Sequence, residues 1–221
     1  MWALRDAIAT AHAGFADVEA VLASEDQAFA GSGTVVPRML GNHDTTRFLS
    51  AAAGDDAGDP WTSPPADDVA DEAYARLKVA LVAVLTQPGM PVLYYGDEVA
   101  LAGGGDPDSR RVMPADDALK AKQASVRELT RRLGTLRACS PGLRSTLRTP
   151  LVATAETWVY ARGEIVVIVS TKTTSTSIPL PLAAAGASVD ALTGDAFSLP
   201  GAVAMGALSA RVLVRANDPC R

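Results

Sequence analysis

Within six positions, Asn42, His43, Asp44 and Arg47 supply an amide, an imidazole, a carboxylate and a guanidinium. They follow the apolar run Val35 to Leu40, with Gly41 between. Parallel α/β folds present their chemistry at the carboxyl ends of strands, so a strand ending in this cluster reads as the rim of an active site. A second stretch, from Gln87 to Glu98, is built the same way: an apolar segment, Pro91 to Tyr95, runs into Gly96, Asp97 and Glu98. These two acids either serve a site or hydrogen-bond neighbouring backbone. For Asp44 the plainer alternative is a helix N-cap, and for His43 a satisfied buried imidazole. A metal-dependent phosphohydrolase centre on His43 and Asp44 would need several more histidines, and the chain has only His12 besides.

The elements that must position these residues can be read from periodicity. Trp2 to Phe29 carries apolar residues at helical spacing and predicts one helix, or two broken near Gly14. It begins inside the amphipathic pattern with no capping residue ahead, like the middle of a domain. Thr34 to Leu40 is a strand candidate, and 51 to 68 an irregular loop rich in Ala, Gly, Asp and Pro. Trp61 in that loop either packs it or offers a stacking surface. A strong helix spans Val69 to Thr86, its apolar stripe made of Leu77, Leu81, Val84 and Leu85. Strand, helix, strand then describes a βαβ unit whose parallel strands put both clusters on one rim.

The Gly- and charge-rich segment 103 to 111 reads as a loop over that rim, followed by a helix from about Asp117 to Ala138. The arginines 127, 131, 132 and 137 of this helix read as a solvated face. Beyond Ser140-Pro141-Gly142 the pattern changes to short β-branched or alternating runs at 143–147, 157–161, 165–171, 176–180, 189–192 and 210–214. This is the pattern of a small all-β sandwich. The expected fold class is therefore α/β plus all-β, with domains at 1–139 and 140–221.

A net charge of −5 without a basic run leaves no electrostatic footprint for nucleic acid or an anionic membrane. No apolar run is long enough to span a bilayer. Cys139 and Cys220 lack metal-site or Cys-x-x-Cys spacing. They are either one disulfide, implying an oxidising extracellular or periplasmic setting, or two unrelated thiols.

At these residues the chain resembles the alpha-amylase family of glycoside hydrolases. Asn42-His43-Asp44 with Arg47 is similar to the motif after the seventh strand of that family's (β/α)8 barrel. Gly89 to Glu98 is similar to the eighth strand, and Asp106-Pro107-Asp108-Ser109-Arg110-Arg111 to the following loop of cyclomaltodextrinase-like and neopullulanase-like members. The resemblance implies the last two strand-helix units of a TIM barrel followed by a small antiparallel β-sandwich. It implies retaining hydrolysis of α-linked glucans, with Asp44 as the transition-state-stabilising carboxylate and Asn42, His43, Arg47, Asp106 and Arg110 as substrate-binding residues, Arg47 by helping to orient the cluster and Asp106 and Arg110 either lining a sugar subsite or simply holding the loop.

The departure from the family pattern is large. The nucleophilic Asp and the acid Glu belong to earlier barrel strands, and no segment before Asn42 matches either. The chain thus looks like the C-terminal part of an enzyme, expected to be inactive alone and to pair with a missing N-terminal barrel half. No cofactor motif is present; the family's calcium sites would fall to a full-length enzyme. The competing expectation is a non-catalytic carbohydrate-binding or interaction module.

Overall fold

The computed structural model describes residues 2–56, 58–181, 189–197 and 201–221. The N-terminal stretch is broken as its pattern suggests. Helix α1, Trp2–Arg5, runs into a π-helical turn, Asp6–Thr10, closed by Ala11 in the left-handed conformation. Helix α2 is Phe15–Ala28. The predicted strands 34–40 and 91–95 are paired only at β1, Pro37–Arg38, and β2, Met90–Pro91, which are parallel with Pro37 opposite Met90. Gly89 makes this approach possible: at φ +99° a Cβ there would sit 2.2 Å from the Val36 carbonyl oxygen.

Between the two strands lie α3, Phe48–Ala52, and α4, Asp71–Thr86. The sequence suggests a stripe on α4, but its second half is buried on every side, from Val79 through Thr86. A helix apolar all round belongs in the middle of a core. It packs against α3, helix α5 (Ala121–Cys139) and the sheet that follows. The face of α5 expected to be solvated is so only in part. Arg131 and Arg132 pair with Glu128, but half-buried Arg137 donates to the carbonyls of Leu85, Gln87 and Gly89, which satisfies the C-terminal end of α4.

The run 143–147 is not a strand. Pro141–Arg144 is one helical turn, α6, whose Leu143 N–H donates to the Ser140 hydroxyl, with Pro at the first helical position. Strands β3 (Thr149–Ala153), β4 (Thr157–Arg162), β5 (Ile165–Ser170), β6 (Thr176–Pro179), β7 (Val189–Asp190), β8 (Ala202–Met205) and β9 (Ser209–Val214) follow. They form an antiparallel sheet in the order β3-β4-β5-β9-β7 and a separate pair β6-β8.

Every residue of β4 and β5 is buried because the larger sheet is a middle layer. Its alternating side chains divide between two cores. Trp158, Tyr160, Val167, Val169, Val212 and Val214 join the helices in one continuous cluster. Val159, Val166, Ile168 and Leu213 face Ile178, Val203 and Met205 of the β6-β8 pair. Antiparallel sheets usually leave one face wet; here helices cover one side and a second sheet the other. Arg162, at the end of β4, is fully buried and donates to the carbonyls of Thr86, Gly142, Leu143, Ser145 and Leu147, joining the end of α4 to the connection before β3. Cys139 and Cys220 form a disulfide that ties the tail to the end of α5.

Candidate functional site

Because β1 and β2 are parallel, the segments that follow them emerge from the same end of the pair. The first, 41–46, is a compact turn. Asn42 Oδ1 accepts the Asp44 N–H at 3.0 Å, and Thr45 Oγ1 accepts the Asn42 N–H at 3.0 Å. Both flanks are held by the buried guanidinium of Arg5, which donates to Leu40 O at 2.8 Å and Thr46 O at 3.0 Å. Burial pushes the Arg5 pKa down, the neighbouring Asp97 partly opposing it.

Arg47 lies beneath this turn at 2% exposure. Its Nε donates to Ser109 O at 2.7 Å, its Nη1 donates to Tyr95 O, and its guanidinium stacks on the rings of Tyr94 and Tyr95 at 4.0 and 4.7 Å. Its backbone N–H donates to Gly103 O at 3.0 Å. Gly103 has to be glycine, since a Cβ would meet Asp108 O at 2.6 Å and Arg47 Cγ at 3.2 Å. Arg47 is thus a buried brace under the turn, a position that suits orienting the cluster.

Asp97 is buried beside it, with Oδ1 3.6 Å from Arg47 Nη1 and no hydrogen-bond partner for Oδ2. Loss of solvation pushes its pKa up to about 7, with Arg47 pulling it down and Glu98 adding to the rise. Asp97 therefore belongs to the buried layer under the turn, beside Arg47, and not to the solvent-facing surface.

Above that buried layer stands an exposed one. The side chains of His43 and Asp44 are 58% and 64% exposed, with His43 Nε2 3.2 Å from Asp44 Oδ1. Neither plainer alternative fits: His43 is not a core imidazole, and α3 begins after Arg47 without a side-chain cap from Asp44. Arg110 reaches over from the second loop, 4.0 Å from Asp44 and 2.8 Å from Asp106. The structure therefore brings Asn42, His43, Asp44, Asp106 and Arg110 to one surface, with a carboxylate flanked by an imidazole and a guanidinium. Such a surface can accept and donate several hydrogen bonds to a polyhydroxylated ligand at once.

Residues 103–111 are fixed by Arg111, which grips Asp108 through two hydrogen bonds of 2.8 and 2.7 Å and extends to Asp67 and Pro65 O. These contacts hold the Asp108 pKa below the ordinary carboxylate value. Arg5 and Ser109 escaped the sequence reading, since an Arg in a helix and a Ser in a polar loop carry no local signal of burial. Among the described residues no group of three or more His, Cys, Asp or Glu side chains converges as a metal site would.

No family model matches the chain. It is 43% identical over 76 residues to an amylopullulanase of Thermoanaerobacter thermohydrosulfuricus, a match spanning 34% of this chain and 5% of that enzyme. It is 40% identical over 79 residues to a cyclomaltodextrinase of Thermoanaerobacter pseudethanolicus, spanning 36% of this chain and 11% of the relative. The matches thus cover a minor part of these relatives' length. The fold is similar to that of an alpha-amylase from Geobacillus thermoleovorans, solved with acarbose, at a TM-score of 0.69 and 22% identity, covering 95% of this chain and 45% of the other. By sequence and by fold, the chain is related to the alpha-amylase family of glycoside hydrolases and resembles the C-terminal part of such an enzyme.

Proposed function

We propose that this chain contributes part of the active site of a retaining glycoside hydrolase acting on α-linked glucans. In this reading residues 1–139 are the last two strand-helix units of a (β/α)8 barrel and residues 140–221 a C-terminal β-sandwich domain. The observation that carries it is the solvent-facing carboxylate of Asp44, flanked by His43 and Arg110 at the shared end of two parallel strands.

Retaining hydrolysis uses a nucleophile and an acid about 5 Å apart across the scissile bond. Both come from residues outside this chain, and Asp44 acts as a third carboxylate. It accepts hydroxyl hydrogens of the bound sugar, and its charge stabilises the oxocarbenium character that grows as the bond breaks. His43 donates to the same sugar. The guanidinium of Arg110, held by Asp106, and the amide nitrogen of Asn42 offer further donors. Arg47 contributes by placing the turn that carries Asp44.

The test is turnover of maltooligosaccharides. The 221-residue chain alone is expected to show none, and activity is expected when an upstream segment carrying the nucleophile and acid is supplied. Asp44→Asn is then expected to lower kcat by on the order of a thousandfold with a smaller effect on KM. Hydrolysis by the chain alone that disappears with Asp44→Asn would overturn this assignment, because another carboxylate within it would have to be the nucleophile. The second reading, a carbohydrate-binding module without chemistry, draws on the exposed indole of Trp61 and predicts sugar binding indifferent to Asp44→Asn.

A further inference from the structure

Trp61 is 77% exposed, the most exposed aromatic side chain among the described residues. Of the two sequence readings, loop packing is therefore the one its surroundings do not match. An indole is large and apolar, so leaving it in water forfeits burial that most Trp side chains obtain.

The mount beneath it is built, not loose. Asp59 accepts the Trp61 N–H at 3.1 Å and the Thr62 hydroxyl at 3.1 Å, while its carbonyl accepts the N–H groups of Thr62 and Ser63 at 3.1 and 2.8 Å. Pro60 precedes the indole and Pro64 and Pro65 follow, which limits the backbone freedom of the turn. Asp55 Oδ2 accepts the Ala66 N–H at 2.8 Å, closing the loop behind it.

This mount is clamped to the loop that carries Asp106 and Arg110. A Cβ on Gly104 would lie 3.1 Å from Pro60 Cβ and 3.3 Å from Pro65 Cδ, so the two proline rings pack close against the glycine. Arg111 donates to Pro65 O at 2.8 Å and to Asp67 at 2.7 Å. The turn that carries the exposed indole is thus fixed relative to the Asp44 rim, and the same arginine holds both loops.

The charge around it selects the ligand class. Asp55, Asp56 and Asp59 flank the turn in sequence, with no Lys or Arg between Arg47 and Arg76, while Asp67 and Asp68 further on are paired with Arg111, Lys120 and Lys122. An anionic polymer or membrane surface would be repelled. A neutral polyhydroxylated ring suits the place, since its C–H face can cover an indole while neighbouring carboxylates accept its hydroxyl hydrogens.

We propose that Trp61 is a stacking platform for a pyranose ring of the α-glucan chain, extending the sugar-binding surface beyond the Asp44 cluster. The assignment rests on the glucan reading above. It makes chain length the quantity that Trp61 governs: a long maltooligosaccharide reaches both places, whereas maltose at the Asp44 rim does not need the indole.

The test is a titration of the 221-residue chain with maltohexaose and with maltose, followed by the indole N–H resonances and the amides of residues 42–44 and 106–110. Maltohexaose is expected to shift both the Trp61 indole and the rim amides. Trp61→Ala is expected to weaken maltohexaose binding about five- to tenfold, leave maltose binding unchanged and be partly rescued by Trp61→Phe. The side chain is exposed, so the substitution does not threaten the fold. Rim amides that respond to maltohexaose with equal affinity in wild type and Trp61→Ala would overturn the platform while leaving the glucan reading intact. A response at the indole alone would support the platform and count against the catalytic reading. Silence at both places would overturn the two together.

Discussion

The Ser109 hydroxyl donates to the backbone carbonyl of His43 at 2.8 Å, although the two residues stand 66 positions apart. The Ser109 carbonyl in turn accepts Arg47 Nε. A buried serine in the second loop therefore places the first loop's imidazole and carboxylate, and the arginine under the first loop places the serine. The two loops make one rigid unit on which exposed Asp44 is carried.

Replacing Ser109 with Ala removes the donor to His43 and nothing else of bulk. The expected cost is about 1 kcal/mol, the net value of one hydrogen bond. Urea denaturation measures it, and hydrogen exchange of the 43–46 amides is expected to accelerate more than that of α4. Unchanged exchange in the turn would mean that Ser109 does not position it.

Asp97 gives stability a pH dependence whose sign is set by its raised pKa. Between its ordinary value of 3.8 and about 7 the native state holds a proton that the unfolded chain releases. Stability from this group is full at the acid end, falls as pH rises through that window and levels above it. Asp97→Asn is expected to flatten this decline and to raise the unfolding midpoint at pH 8 relative to wild type. Parallel pH profiles for the two proteins would show that Asp97 is charged throughout.

Arg162 ties five carbonyls together, and burial lowers its pKa to about 10. Arg162→Met leaves those acceptors without their shared donor and is expected to cost at least ~3 kcal/mol. Lys cannot reproduce the planar fork, so Arg162→Lys should recover less than half. Thermal unfolding of both variants checks this. A loss below about 1 kcal/mol would show that water takes over the carbonyls.

The Cys139–Cys220 disulfide spans 81 residues of sequence and encloses the whole sheet region. Closing a loop of this size constrains the unfolded chain, and pairs of this kind contribute roughly 2–4 kcal/mol. The double variant Cys139→Ser/Cys220→Ser is expected to be less stable by that amount, to melt at a lower temperature and to lose its sensitivity to reductant. Equal melting of wild type with and without reductant would exclude a stabilising bridge.

Much of the architecture was legible because it rests on local periodicity. The amphipathic spacing of α4 and α5 and the β-branched runs of β4 and β5 gave those elements directly, and strand-helix-strand order gave the parallel pairing of β1 with β2. Where a local signal misled, a competing one had won. Ser140 and Pro141 start a helical turn in a segment read as a strand. Pro150 in β3 and the small residues of β8 hid two real strands, because edge pairing tolerates both.

The sequence by itself also determined which polar side chains share one surface: Asn42, His43, Asp44, Asp106 and Arg110 follow two parallel strands and stand together. Only the tertiary structure decided which charged groups are buried scaffold. Arg47 lies five positions from Asn42 but spends its guanidinium on Tyr95 and Ser109, and Asp97 loses its solvation to neighbours drawn from other elements. The exposure of Trp61 was equally invisible, since a loop Trp can pack or face solvent and only the folded neighbours decide which. Periodicity and residue type act over a few positions and can be read along the chain. Burial of a long polar side chain depends on carbonyls dozens of residues away, whose positions exist only once the fold has closed.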